Sequence, residues 1–130
     1  MIRGGLIFLA VLQGLAGLVQ LFAPRVFYDI PWVSLLPPYN EHLMRDVGAL
    51  TLAYVLVLTA AAVWPERRLV QVALLANLVG TVPHLVFHAT HLDHFSAGDA
   101  IAQTIVLAIA VVLPAALLVV SRRLPARVAE

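Results

Sequence analysis

Four long apolar stretches constrain this chain more than any other feature of its sequence. Each holds roughly 20 residues, which at about 1.5 Å per residue is enough for a helix to cross a ~30 Å hydrocarbon core. Hydrophobic residues make up 62% of the 130 residues and charged residues 12%, whereas a soluble domain is nearer about one half and one quarter. The sequence therefore predicts an all-α polytopic membrane protein with a single domain, residues 1–130. Its predicted transmembrane helices lie at about residues 4–23, 41–64, 69–91 and 99–120.

The segments between these stretches are short. Between Arg25 and Tyr39 the chain holds three prolines and four aromatic residues, so we expect residues 24–40 to form an irregular surface loop at the membrane interface. Asn40 is a good N-cap for the second helix, and Pro65 ends that helix. Because short connections make neighbouring helices antiparallel, the sequence predicts an up-down-up-down bundle.

The charged residues are distributed unevenly along the chain. All eight basic residues are arginines, and six of them fall on one side of the predicted bundle: Arg3, Arg67, Arg68, Arg122, Arg123 and Arg127. The positive-inside rule then predicts that both termini lie in the cytoplasm. The sequence has no basic stripe that could neutralise phosphates, so nucleic acid is not a predicted partner. The predicted partners are the lipid bilayer and either another membrane protein or a second copy of the chain.

Each predicted helix carries one stripe of small or polar residues, because positions three, four and seven apart share a helix face. The stripes are Gln13, Gly17 and Gln20; His42, Asp46, Ala49 and Ala53; Asn77, Thr81, His84, His88 and His91; and Asp99, Gln103, Val106 and Ala110. Lipid would reject such side chains, whereas a bundle interior would accept them. We therefore expect the four stripes to face one another. We also expect Pro83 to bend the third helix beside Gly80 and widen that half of the bundle.

All five histidines fall at the end opposite the six arginines. His84, His88, His91 and His94 follow one another at spacings of three or four residues, and His42 and Asp46 are four apart. This spacing is typical of metal ligands on a helix face. The chain has no cysteine, so zinc, copper or iron would be held by imidazole and carboxylate alone. The predicted ligands of this divalent metal are His42, Asp46, His84, His88, His91 and Asp99.

The same residues leave other uses open. A b-type haem between His42 and either His84 or His88 is the weaker cofactor candidate. A histidine tuned by Asp46 or Asp99 could be a general acid or base for a quinone- or isoprenoid-like substrate, so whether the chain is an enzyme stays open. It could instead be a non-catalytic accessory or scaffold subunit that packs through a surface beginning at Gly14.

One motif and the overall layout resemble a known group of proteins. A surface loop leads into the second helix through the pattern Asn-Glu-x3-Arg-Asp-x-Gly, which is Asn40, Glu41, Arg45, Asp46 and Gly48. With four spans in 130 residues, the chain resembles the small DoxX-like four-helix membrane proteins of bacteria, some of which are linked to membrane oxidoreductase systems. The resemblance implies a bacterial inner membrane and assigns no functional residue. The predicted function is an extracytoplasmic site that binds a divalent metal or handles protons for a lipid-phase partner.

Overall fold

The computed structural model describes residues 1–35 and 38–125, and every regular element in these residues is an α-helix. Four helices are long and apolar enough to cross a membrane: α1 (Ile2–Phe22), α4 (Glu41–Val63), α5 (Arg67–Thr90) and α6 (Ala97–Ser121). The predicted class, an all-α four-helix membrane protein, is confirmed. Each predicted span agrees with its helix to within two residues at either end. Pro37 of the predicted loop and Arg127 of the tail lie outside the described residues.

The surface segment, residues 23–40, is more regular than the sequence predicted. It contains two short helices, α2 (Pro24–Tyr28) and α3 (Pro31–Ser34). Each begins at a proline, because the fixed φ of proline suits the first helical position and its missing N–H would have no partner there. The prediction of an irregular loop is therefore wrong for these two stretches.

Side chains cap the helices that follow. The side-chain oxygen of Asn40 accepts a hydrogen bond from the backbone N–H of Leu43 at 3.0 Å, which confirms the predicted N-cap of α4. The hydroxyl of Ser96 caps α6 in the same way, accepting from the N–H of Asp99 at 3.2 Å. These caps fix where the two helices leave the surface.

The helices associate as two close pairs, because α1 packs mainly on α4 and α5 mainly on α6. Gly17 of α1 lies against Leu52 and Gly48 of α4. Gly14, from which the sequence predicted a packing surface for another subunit, lies near Val55 of α4. These two glycines therefore pack within the chain itself.

The apolar core lies in one half of the bundle. The arginine-rich end comprises the start of α1, the α4–α5 turn and the end of α6, and the histidine-rich end comprises the surface segment and the α5–α6 connection. The buried apolar residues all lie toward the arginine-rich end: Leu6, Leu9, Ala10, Leu58, Ala61, Ala62, Val70, Ala73, Leu74 and Leu117. Toward the histidine-rich end, the buried residues of the long helices, within the described ranges, are Gly17, Gly48 and Gln103. The bundle is closed at the first end and open at the second.

Candidate functional site

One face of α5 leaves the core and continues into the open half of the bundle. Asn77, Thr81, His84 and His88, which we call the polar track, share this face because they are three or four residues apart. Asn77 is only 3% exposed, yet His84 is exposed although it lies on the same face. The change in exposure therefore reflects fewer neighbouring side chains toward the histidine-rich end of the bundle.

At the open end of the track, two histidines meet a glutamine of α6. The rings of His84 and His88 lie edge to face with centroids 4.5 Å apart. Nδ1 of His88 lies 2.8 Å from the amide nitrogen of Gln103. With this amide donating, the ring accepts at Nδ1 and, when neutral, carries its proton at Nε2. Gln103 is 5% exposed, and its Oε1 is buried with no hydrogen-bond partner among the described residues.

At the closed end of the track, Asn77 lies beside a tyrosine of α4. The Tyr54 hydroxyl donates to the backbone carbonyl of Ala73 at 2.8 Å, so its oxygen is left to accept a hydrogen bond. The side chain of Asn77 lies close enough to interact with this hydroxyl, and its amide nitrogen is the atom that is able to donate to it. Oδ1 of Asn77 is buried and has no hydrogen-bond partner in the described part of the chain.

His42 and Asp46 pair with each other on the exposed surface of α4. Nε2 of His42 is 3.3 Å from Oδ2 of Asp46, and the two side chains are 87% and 54% exposed. Ala49 and Ala53, which continue their stripe, are exposed as well, whereas Gly48 is buried. The prediction that this stripe faces the other three is wrong. The pair lies in the first turns of α4, where a charged group can reach water without a partner inside the bundle.

His91 and Asp99 are engaged at helix ends. Nδ1 of His91 lies 2.8 Å from the carbonyl oxygen of Phe87, and the two rings stack with centroids 4.2 Å apart. Asp99 accepts hydrogen bonds from the Ser96 hydroxyl at 2.6 Å and from Nε1 of Trp32 at 3.2 Å. The second bond ties α3 of the surface segment to the first turn of α6.

The six predicted metal ligands therefore do not meet at one point. Within residues 1–35 and 38–125, no group of three or more His, Asp or Glu side chains is placed to hold a metal ion. The structure brings His84 next to His88, and His42 next to Asp46, as two separate pairs. Metal binding stays a prediction from the sequence. A haem between His42 and either His84 or His88 stays a prediction as well.

Tyr54 was not among the functional residues predicted from the sequence. Its signal was a lone tyrosine near the middle of a predicted span, where the hydroxyl needs a hydrogen-bond partner inside the protein. Gln103 was placed correctly in the interior, whereas Val106 of the same predicted stripe is exposed. The contact between Gln103 and His88 could not be predicted, because the spacing of residues along two helices does not define how the helices are rotated relative to each other.

Comparisons with known proteins assign nothing further to these residues. No family model, curated protein or solved structure matches the chain. The resemblance to DoxX-like proteins therefore stays a prediction.

Proposed function

We propose that this membrane protein binds the polar head of a lipid-phase molecule in the open half of its bundle, and that His84 and His88 exchange protons with that head. The polar track is the observation that carries the proposal. His88 follows Asn77 by eleven positions, so the track spans about 16 Å along α5. It leads from the histidine-rich end to the middle of a membrane-length helix.

The chemistry of the side chains supports this function. Ionisable groups within a span cost free energy and persist where they have a partner or a function. His88 is paired with Gln103, and the exposed His84 lies against His88. Imidazole both accepts and donates protons near neutral pH, which suits it to general acid or base work.

The arginines support one orientation of the track. Arg3, Arg67, Arg68, Arg122 and Arg123 cluster at the closed end of the bundle. In the proposed orientation this end is cytoplasmic by the positive-inside rule, and the track opens to the outer face of a bacterial inner membrane. A reporter fused to the C-terminus should then be active only as a cytoplasmic reporter, and an extracytoplasmic C-terminus would contradict this orientation.

Extraction of bound molecules tests the binding step. Membranes solubilised with an amphipathic polymer carry their lipid-phase molecules with them. Organic extracts of the wild type should contain a compound that is depleted in the His84→Leu/His88→Leu variant. The His42→Leu variant is the matched control, because its imidazole lies on the exposed face of α4. Equal amounts of every extracted compound in wild type and double variant would contradict the proposal.

The proton step has its own variant. In His84→Gln/His88→Gln the side chains keep hydrogen-bonding groups but cannot ionise near neutral pH. This variant should retain the compound, whereas the proton uptake or release seen with a pH dye when the compound is added back should disappear. An unchanged dye signal in the glutamine variant would contradict a proton role for the two histidines.

A divalent metal is the second candidate, favoured by the contact between two imidazoles four residues apart. His84 and His88 could bind one zinc or copper ion together, with water completing the coordination. Elemental analysis and titration with Zn²⁺, Cu²⁺ and Fe²⁺ separate the two candidates. Binding that is lost in the His84→Leu/His88→Leu variant and kept in His94→Ala would support the metal, and equal retention in the double variant would contradict it.

A further inference from the structure

The arginines at the two ends of the bundle have different partners. At the histidine-rich end, Nε of Arg25 lies 3.1 Å from Oδ1 of Asp29, and Nη2 of Arg45 lies 2.9 Å from Oε1 of Glu41. At the arginine-rich end, no carboxylate of the described residues lies within ion-pairing distance of Arg3, Arg67, Arg68, Arg122 or Arg123. The protein therefore supplies its own counter-ions for arginine at one end and not at the other.

The net charge of the two ends also differs in sign. Among the described residues of the arginine-rich end, five arginines face one carboxylate, Glu66, which leaves an excess of four positive charges. The histidine-rich end has two arginines against five carboxylates, an excess of three negative charges when the histidines are neutral. Positive charges that are close together repel one another unless anions lie among them. The arginine-rich end therefore favours an anion that the described part of the chain does not provide.

Three helices bring these arginines to one surface. Ile2 of α1, Leu69 of α5 and Leu124 after α6 all pack against the same apolar core cluster. Each of them is next in sequence to an exposed arginine, and these are Arg3, Arg68 and Arg123. The positive charges therefore lie around the closed end of the core and do not belong to a single helix.

This surface lies at the depth of lipid headgroups. The arginines lie in the first turn of α1, in the first turn of α5 and directly after α6, so each adjoins the end of a membrane-length helix. Trp64, in the α4–α5 turn, is 62% exposed, and tryptophan is enriched at the membrane interface. The planar guanidinium group of arginine binds phosphate through two parallel hydrogen bonds.

We infer that the arginine-rich end binds the phosphate groups of anionic phospholipids. A zwitterionic lipid such as phosphatidylcholine brings a positive charge together with its phosphate, whereas phosphatidylglycerol brings the phosphate alone. An excess of positive charge on the protein selects the second kind of headgroup. This binding does not involve the polar track, so it is independent of the proposed function.

The two tryptophans test the inference at both ends of the same molecule. Trp32→Phe leaves Trp64 as the reporter of the arginine-rich end, and Trp64→Phe leaves Trp32 as the reporter of the histidine-rich end. Each protein is reconstituted in phosphatidylcholine bilayers that contain either brominated phosphatidylglycerol or brominated phosphatidylcholine. Bromine quenches the fluorescence of a nearby tryptophan, so the quenching gives the relative association constant of the two lipids.

We expect phosphatidylglycerol to be favoured at least about threefold at Trp64 and not to be favoured at Trp32. Both leaflets have the same composition, so the result does not depend on the orientation of the protein. No preference at Trp64, or an equal preference at both tryptophans, would overturn the inference.

Two double variants in the Trp32→Phe protein test the arginines themselves. Arg68→Gln/Arg123→Gln should lower the preference at Trp64 at least about twofold. Arg25→Gln/Arg45→Gln is the matched control, because it removes the same charge from the histidine-rich end and should leave the preference unchanged. Thermal unfolding in detergent checks that both variants fold. An unchanged preference in folded Arg68→Gln/Arg123→Gln would overturn the inference, and the comparison of the two tryptophans decides it independently of these variants.

A soluble anion is the other possible source of phosphate. Inorganic phosphate and chloride, added at equal ionic strength, should weaken the preference at Trp64 equally, because both act by screening. Stronger displacement by inorganic phosphate would identify a site for a soluble phosphate compound and would overturn the assignment to lipid.

Discussion

Two glycines in the half of the bundle near the histidine-rich end have opposite surroundings. At Gly48 of α4, an added Cβ would lie 2.6 Å from the backbone nitrogen of Leu21, so this glycine allows α1 and α4 to touch. At Gly80 of α5, an added Cβ would have no atom of another helix within 4 Å. A small residue in a membrane helix permits close approach, and what approaches can be a backbone or a ligand. α1 and α4 therefore pack tightly at Gly48, whereas no other helix covers the side of α5 that holds Gly80.

The largest expected effect is the difference in stability between alanine substitutions at these two glycines. Gly48→Ala places a methyl group against backbone atoms that cannot move aside, so we expect a loss of about 2–3 kcal/mol in the free energy of unfolding. Gly80→Ala should instead gain up to about 1 kcal/mol, because alanine is the better helix former. Denaturation in detergent micelles measures both. A tolerated Gly48→Ala would show that the helices are not in close contact there.

Next in size is the arginine that completes the α1–α4 contact. Arg45 donates from Nη1 to the backbone carbonyl of Leu21 at the end of α1 and pairs with Glu41 at 2.9 Å. Arg45→Leu should cost about 1 kcal/mol, because a partly exposed pair and a helix C-cap are both lost. Arg25→Leu is the control, since Arg25 pairs with Asp29 within the surface segment. Equal losses in the two variants would contradict a specific role for Arg45.

A smaller effect is expected where the surface segment crosses to α6. Trp32→Phe keeps an aromatic ring but removes the N–H that bonds to Asp99. Amide hydrogen exchange in α3 should become about three- to tenfold faster, while exchange at the Gly17 and Gly48 contact stays unchanged. If exchange in α3 is unaltered, the hydrogen bond does not hold the segment in place.

The smallest effect belongs to the exposed side of α4. His42→Ala breaks the pair with Asp46, but both side chains are largely in contact with the surroundings of the bundle. The free energy of unfolding should change by no more than about 0.5 kcal/mol. A larger loss, measured by the same denaturation, would indicate that this face is covered by a partner.

The sequence predicted the helices well and their rotation less well. Length and hydrophobicity are enough to locate a membrane helix, and the side-chain oxygen of Asn40 is enough to mark where α4 begins. The buried face of α4 was wrongly assigned to the side of His42 and Asp46. In a membrane the lipid-facing residues are as apolar as the core, so polar residues are the guide to the buried face. Polar residues do not identify the buried face in the terminal turns of a helix, because polar side chains on every face can reach water there.

The candidate site was predictable in part for the same reason. The track on α5 was correctly placed on one face, because Asn77 and Thr81 lie deep within the span, where a polar side chain must turn inward. The opening of the bundle along it follows from the packing of four helices together, which no single stretch of sequence contains. That no other helix lies against Gly80 could be seen only in the assembled bundle.

The hydrogen bond between Trp32 and Asp99 has a consequence for rates. Trp32 belongs to the connection between α1 and α4, whereas Asp99 belongs to α6, so the bond must break when the two helix pairs separate at the histidine-rich end. A hydrogen bond that breaks only while a molecule enters or leaves, and is intact both before and after, raises the barriers to binding and to release equally. It therefore leaves the dissociation constant unchanged. In Trp32→Phe, a bound molecule would therefore exchange faster without binding more weakly. Under the proposed function, occupancy and residence time would therefore be set by different residues.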